Sequence, residues 1–227
     1  MMQGSFLKNL RAGRVQVKIC GFTRPENVRE AAALSADAFG FVLFRKSRRF
    51  VPEEALEALL AEVPQRITPV LLLVDPEPEQ VLRLSKKFPR VMLQFHGGES
   101  RALCELSGLP YMKAVHFRQP GDLARAARDY PTASGILADC PAPDAAAAPG
   151  GNGAAFDWEA ARAEAAGLPL PLVLAGGLNA SNAPRAVRLL RPAALDVSSG
   201  VEKSPGIKDM IKVEQFLVSA RSAANLA

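Results

Sequence analysis

Eight short, nearly unbroken apolar runs, each followed by a helix-like stretch, restrict the fold of this chain more than any other feature. They cover 15–20, 38–44, 67–74, 91–95, 111–115, 135–139, 170–175 and 194–198. Rich in Val, Ile, Leu and Phe and without strict polar alternation, they read as strands buried on both faces of a parallel sheet. Helical patterns are predicted between and after them, over 25–34, 52–61, 79–87, 100–106, 122–129, 158–166, 181–190 and 207–219. Thr23 is the expected cap of the first helix, with Pro25 inside its first turn. Pro52 opens the second, where Glu53 and Glu54 suit the positive end of the helix dipole.

Eight β/α units with short connections are the number that closes a parallel sheet into a (β/α)8 TIM barrel, an α/β fold whose active site lies at the carboxyl ends of the strands. An open doubly wound sheet is the alternative, but no GxGxxG follows the first run. A length of 227 residues suits one barrel, and no linker divides it. The expectation is therefore a single domain over 15–227, preceded by a poorly ordered leader over 1–14. In that leader Phe6, Leu7 and Leu10 are scattered among Lys8, Arg11 and Arg14, without the apolar centre of a secretory signal. No apolar run is long enough to span a bilayer, so no membrane partner is expected. Three cysteines, an odd number with no CxxC spacing, fit free thiols in a reducing cytoplasm. The formal charge of +5 is dispersed, with its densest cluster at Arg45, Lys46, Arg48 and Arg49. Without a continuous basic track or a nucleic-acid motif, that balance points to a small anionic substrate and not to nucleic acid. Monomer and homodimer are both compatible with the sequence. The stretch 140–155, dominated by Ala, Pro and Gly, is expected to be an exposed loop over the barrel mouth.

Polar and reactive residues gather where the predicted strands end: Cys20, then Lys46 to Arg49, then His96, Asp139, the pair Gly176 and Gly177, and Asp196 to Gly200. Glycine turns after strands seven and eight are where barrels usually hold a phosphate, because backbone N–H groups there approach the oxygens closely and a helix start adds positive dipole. The plainer explanation for each glycine is a tight turn. A lone Cys at a strand end is usually a small buried apolar residue, and Cys104, on a helix, reads as core. Phe156 and Trp158 read as packing residues. His96, His116 and the cysteines show no metal-ligand spacing along the chain, so no metal is expected, and no dinucleotide motif calls for a cofactor.

Several blocks then carry a specific resemblance. VKICGFT (17–23), GFVLFRKSRRF (40–50), QFHG (94–97), GGNGAAFDW (150–158), LAGGLNASN (174–182) and LDVSSGVEKSPGIKD (195–209) occur in the order in which phosphoribosylanthranilate isomerases carry similar blocks. The resemblance implies a cofactor-free Amadori rearrangement of a phosphorylated substrate in tryptophan biosynthesis. It implies Cys20 as general base, Asp139 as general acid, Arg49 as clamp for the anthranilate carboxylate, and His96 and Asp196 as pocket residues. Gly176, Gly177, Ser199 and Gly200 would hold the phosphate. Asn152 stands where the family usually has Thr or Ser, Ala145 to Ala148 look like an extension, and Ala138 and Cys140 flank the acid in place of the usual residues. The chemistry needs an acid and a base in opposite protonation states at one pH. Enclosure is expected to raise the Asp139 pKa, and Lys18 or Arg49 to lower that of Cys20. The related isomerase of histidine biosynthesis, alone or in a bifunctional barrel, places an Asp after the first strand, and Cys20 argues against it. A non-catalytic phosphate-binding barrel would need the glycines but not the acid and base together.

Overall fold

Along each strand, side chains alternate between the barrel axis and the surrounding helices, so strand parity decides which residues meet inside. The computed structural model describes Phe6, Leu7, 14–140 and 157–224. Eight parallel strands pair in chain order, β1 (Gln16–Cys20), β2 (Ala38–Val42), β3 (Thr68–Leu73), β4 (Met92–Phe95), β5 (Tyr111–His116), β6 (Gly135–Asp139), β7 (Leu172–Leu174) and β8 (Ala194–Val197). Pairing of β8 with β1, Lys18 opposite Asp196, closes the ring. Seven helices follow the first seven strands: α1 (Pro25–Ala32), α2 (Glu53–Ala61), α3 (Pro78–Lys87), α4 (Arg101–Glu105), α5 (Asp122–Asp129), α6 (Trp158–Ala166) and α7 (Ala183–Leu190). After β8 come a 3-10 turn (Ser199–Val201), the antiparallel pair β9 (Glu202–Ser204) and β10 (Ile207–Lys208), and α8 (Met210–Ala224).

The core has two layers with opposite strand parity. Val17, Ile19, Phe39, Phe41, Leu71, Leu93, Ile136 and Leu195 pack with the helices. Ala38, Val70, Met92, Met112, Leu137, Val173 and Ala194 fill the interior near the amino ends of the strands. Above them the interior turns polar, with Lys18, Gln94, Asp139 and Asp196 all buried. Of the leader, Phe6 and Leu7 are described, and both are buried against that interior cluster. The Phe6 N–H donates to Thr68 Oγ1 and the Leu7 N–H to Gln16 Oε1. At these two positions the leader is packed, not frayed, because the open amino end of the barrel offers apolar surface to cover.

Two local expectations are corrected. Thr23 does not cap α1; its hydroxyl donates to the Gly206 carbonyl, and Arg24 stands at the cap without a side-chain bond. The last helix does not begin at Ile207, which pairs with Ser204 instead, and Asp209 Oδ1 accepts from the Ile211 N–H at the true start. Gly206, at φ +83°, makes the intervening turn. β7 is shorter than its apolar run because Pro169 and Pro171 lack the N–H a ladder needs. The expected loop over 140–155 lies, after Cys140, outside the described residues, as do Asn152 and Phe156.

Candidate active site

The parity that turns Lys18 inward also turns Cys20 inward, and the same holds for Gln94 on β4 and Asp139 on β6. At the carboxyl ends of the strands they surround a cavity lined also by Ser47, Arg49, His96, Gly176, Gly177, Asp196, Ser198 and Ser199. Eight of the nine expected residues line it: Cys20, Asp139, Arg49, His96, Asp196, Gly176, Gly177 and Ser199. Gly200 does not line the cavity; it sits one step behind, where a Cβ would fall 1.9 Å from the Leu178 carbonyl oxygen. There it lets the turn after β8 close onto the turn after β7.

Cys20 is 5% exposed. Space for its thiol comes from Gly40 on β2: a Cβ there would lie 2.7 Å from Cys20 Sγ and 3.1 Å from Lys18 Nζ. Burial pushes the Cys20 thiol above its ordinary value; Lys18 and Lys208 oppose that rise and Asp196 adds to it. The expected downward shift is thus corrected. The cations are present, but desolvation outweighs them, and Lys18 is already engaged. Its Nζ donates to both oxygens of Asp196, each at 2.9 Å. Although burial opposes its charge, Asp196 and then Cys20 hold Lys18 above its ordinary value.

A second buried network sits beside the thiol. Arg49 donates through Nε and Nη2 to Glu202, with a shortest contact of 2.7 Å. Glu202 also accepts from Lys208 Nζ at 2.7 Å, and Lys208 donates onward to the Cys20 carbonyl. Burial favours neutral Glu202, but Arg49 and Lys208 prevail and hold it below its ordinary value. This anchoring fixes the Arg49 guanidinium at the cavity wall. Neither Glu202 nor Lys208 was picked out from sequence, although both stand in the block 195–209 that supplied Ser199 and Gly200.

Across the cavity, Asp139 is 3% exposed. Its Oδ1 accepts from the Cys140 N–H at 2.8 Å, and its Oδ2 lies 3.1 Å from His96 Nε2. Gln94 Nε2 stands 2.9 Å from His96 Nδ1. With the amide N–H donating to Nδ1, the imidazole carries its proton on Nε2 and presents it to Asp139. The turn after His96 is held by Glu99, which accepts from the Gly97 N–H at 2.9 Å and from Lys113 Nζ at 3.0 Å. His116 was noted in the sequence only for lacking metal-ligand spacing. It ends β5, with its ring centroid 5.8 Å from that of His96. Burial and then the neighbouring His96 push its imidazole below the ordinary value, which leaves it uncharged at neutral pH.

The turns after β7 and β8 face each other at the far side. Gly176 and Gly177 have φ of +82° and +62°, and a Cβ on Gly176 would fall 2.8 Å from the Cys140 nitrogen. The amides of Gly177, Ser199 and Gly200 have no hydrogen-bond partner among the described residues. Chemically, the cavity offers a thiol and a carboxyl on different walls, a cation at the rim and the glycine turns after β7 and β8. Of the remaining cysteines, Cys104 is core, with its thiol pushed up to about 12 by burial. Trp158 is buried in the core, as expected.

Residues 17–219 match the N-(5'phosphoribosyl)anthranilate (PRA) isomerase family. An N-(5'-phosphoribosyl)anthranilate isomerase of Thiobacillus denitrificans is 44% identical over 209 residues, which is 92% of this chain and 99% of the relative. One from Leptothrix cholodnii is 42% identical, covering 94% of each. Among solved structures, the phosphoribosyl anthranilate isomerase of Thermotoga maritima superposes with a TM-score of 0.81 at 34% identity, over 92% of this chain and 99% of that one. A phosphoribosyl anthranilate isomerase in complex with reduced 1-(o-carboxyphenylamino)-1-deoxyribulose 5-phosphate gives a TM-score of 0.79 at 33% identity, with the same coverage.

Proposed function

The chain belongs to the N-(5'-phosphoribosyl)anthranilate isomerase family, and from that membership we propose that Cys20 and Asp139 are the base and acid of its reaction. It is an isomerase of tryptophan biosynthesis. The observation that carries the assignment is that a thiol from β1 and a carboxyl from β6 line one cavity with the glycine turns of β7 and β8.

The reaction converts N-(5-phosphoribosyl)anthranilate to 1-(2-carboxyphenylamino)-1-deoxyribulose 5-phosphate. Asp139 gives a proton to the ribose ring oxygen, and the C1–O bond breaks as the anthranilate nitrogen lends its lone pair, forming an iminium at C1. Cys20, as thiolate, takes the proton on C2. The electrons of that C–H bond form the C1–C2 double bond and return the iminium pair to nitrogen. The enolamine then tautomerises to the ketone. No electron is gained or lost overall. For this step Asp139 carries the proton itself, as the carboxylic acid, and the 3.1 Å contact with His96 holds the carboxyl in position. Gly176, Gly177 and Ser199 take the phosphate on backbone N–H groups, with Gly200 completing the turn, and Arg49 takes the anthranilate carboxylate. Asp196, through Lys18, fixes the floor beneath the sugar.

Arg49→Ala is expected to raise KM about ten- to a hundredfold with a smaller effect on kcat, because one charge-assisted contact to the substrate is lost. Glu202 keeps Lys208 as partner in that variant, so the fold stays supported. Steady-state kinetics with an unchanged KM would overturn the clamp.

The pH profile tests the base. With the Cys20 thiol held high by burial, its thiolate fraction grows with pH through the neutral range, and kcat/KM is expected to climb with it. The Lys208 charge opposes the upward shift. Lys208→Met should therefore move this ascending limb to higher pH and lower kcat/KM at pH 7. An ascending limb that stays in place would show that a group other than Cys20 is the titrating base.

We also infer a cytoplasmic enzyme that works as monomer or homodimer on a small phosphorylated substrate, a reading supported by its three free thiols. Assays of the purified protein on both the anthranilate substrate and the histidine-pathway substrate distinguish the readings. Activity on the second would mark a bifunctional barrel.

A further inference from the structure

Three consecutive strands end in His96, His116 and Asp139, just beyond β4 and at the last residues of β5 and β6. One donor atom from each lies within 4.8 Å of the other two. Zinc holds imidazole nitrogen and carboxylate oxygen at about 2.0–2.2 Å, which sets donors on a tetrahedral ion roughly 3.3 Å apart. His96 Nε2 and Asp139 Oδ2, at 3.1 Å, already have that spacing. The third donor has to move by no more than about 1.5 Å to join them, within reach of a side-chain rotation of His116.

A second observation points to a ligand. His116 Nδ1 is buried and has no hydrogen-bond partner among the described residues. A buried ring nitrogen without a partner is uncommon, since desolvating it goes uncompensated. His96 and His116 also line a second recess, walled by Asp75, Lys113 and Arg125, so the pair is reached from a side other than the substrate cavity. The gathering is tertiary: His96 and Asp139 are 43 positions apart, which is why the linear spacing showed no metal pattern.

We propose that His96, His116 and Asp139 form a three-ligand zinc site, with water in the fourth position, and that zinc bound there inhibits the isomerase by occupying the Asp139 carboxylate. Two imidazoles and one carboxylate with an open position are a donor set that borderline-soft divalent ions take readily. The binding stands on geometry alone, while the inhibition rests on the reading of Asp139 as the acid.

The test uses the full chain, freed of metal by a chelator and titrated with zinc in a non-coordinating buffer. One zinc per chain by equilibrium dialysis is expected, with turnover falling in step and returning when chelator is added. His116→Gln and His116→Asn should keep the metal-free turnover, while the zinc concentration for half inhibition rises at least about tenfold. Cobalt as a spectroscopic substitute should give ligand-field bands without a thiolate charge-transfer band. Such a band would place the ion on Cys20 or Cys140 and overturn the site, as would unaltered inhibition in both His116 variants or no zinc bound to the parent chain. Asp139→Asn separates the two readings: an active variant that binds no zinc refutes the acid and keeps the site. An inactive one, beside a parent that binds no zinc, keeps the acid and refutes the site.

Discussion

Replacing Cys20 by alanine, or Asp139 by asparagine, is expected to lower turnover by about two to four decades in each case while the barrel stays folded. The size follows from the chemistry. Without the thiolate, water must take the C2 proton, and without the carboxyl, the ring oxygen leaves unprotonated. The fold survives because neither residue anchors much structure. Cys20→Ala removes one sulfur facing a cavity. Asp139→Asn keeps an oxygen to accept from the Cys140 N–H, now at 2.8 Å. The double variant should be little slower than the slower single one, since groups that act as a unit are not additive. Kinetics on variants with unchanged circular dichroism and unchanged denaturation midpoint provide the check. Near-normal turnover in either single variant would remove that residue from the mechanism.

The largest effect on stability is expected at Lys18. Its side chain is fully buried, and Asp196, at 8% exposure, is its partner. Lys18→Met leaves a buried carboxylate without a counter-ion, which costs about 3–5 kcal/mol, a large share of the roughly 5–15 kcal/mol that holds a domain folded. Removing both charges, as Lys18→Met with Asp196→Leu, should recover much of the loss, because a buried pair often does no better than apolar residues of similar volume. Urea unfolding of the three variants measures this, and an unchanged midpoint in Lys18→Met would refute it. The sign with pH is also fixed. The Lys18 pKa in the folded state is raised above 10.5, so the contribution is fully present below that value and is lost only as pH climbs through the higher folded one. The same variant should slow catalysis at neutral pH, since Lys18 opposes protonation of the Cys20 thiol.

How far the site was legible follows from which interactions are local. Cys20, His96, Asp139 and Asp196 were found because each sits in or directly after a buried apolar run, and the blocks around them carry a family resemblance. Glu202 and Lys208 were passed over because their function is to hold Arg49 and the Cys20 carbonyl, and nothing in a charged residue of an exposed-looking turn announces a buried partner 153 positions away. His116 was passed over for the same reason. The start of α8 was misplaced because the turn at Gly206 interrupts what reads as one helical pattern.

The amino-acid sequence by itself determined the eight strands and the reactive residues at their carboxyl ends, because near-continuous apolar runs are properties of a few neighbouring residues. Only the tertiary structure decided which inward residues meet. Lys18 reaches Asp196 across 178 positions through closure of β8 onto β1. The direction of the Cys20 shift was decided there too, because it depends on how much water the closed barrel excludes from the thiol compared with how many charges the barrel brings beside it, and both quantities exist only once the ring is shut.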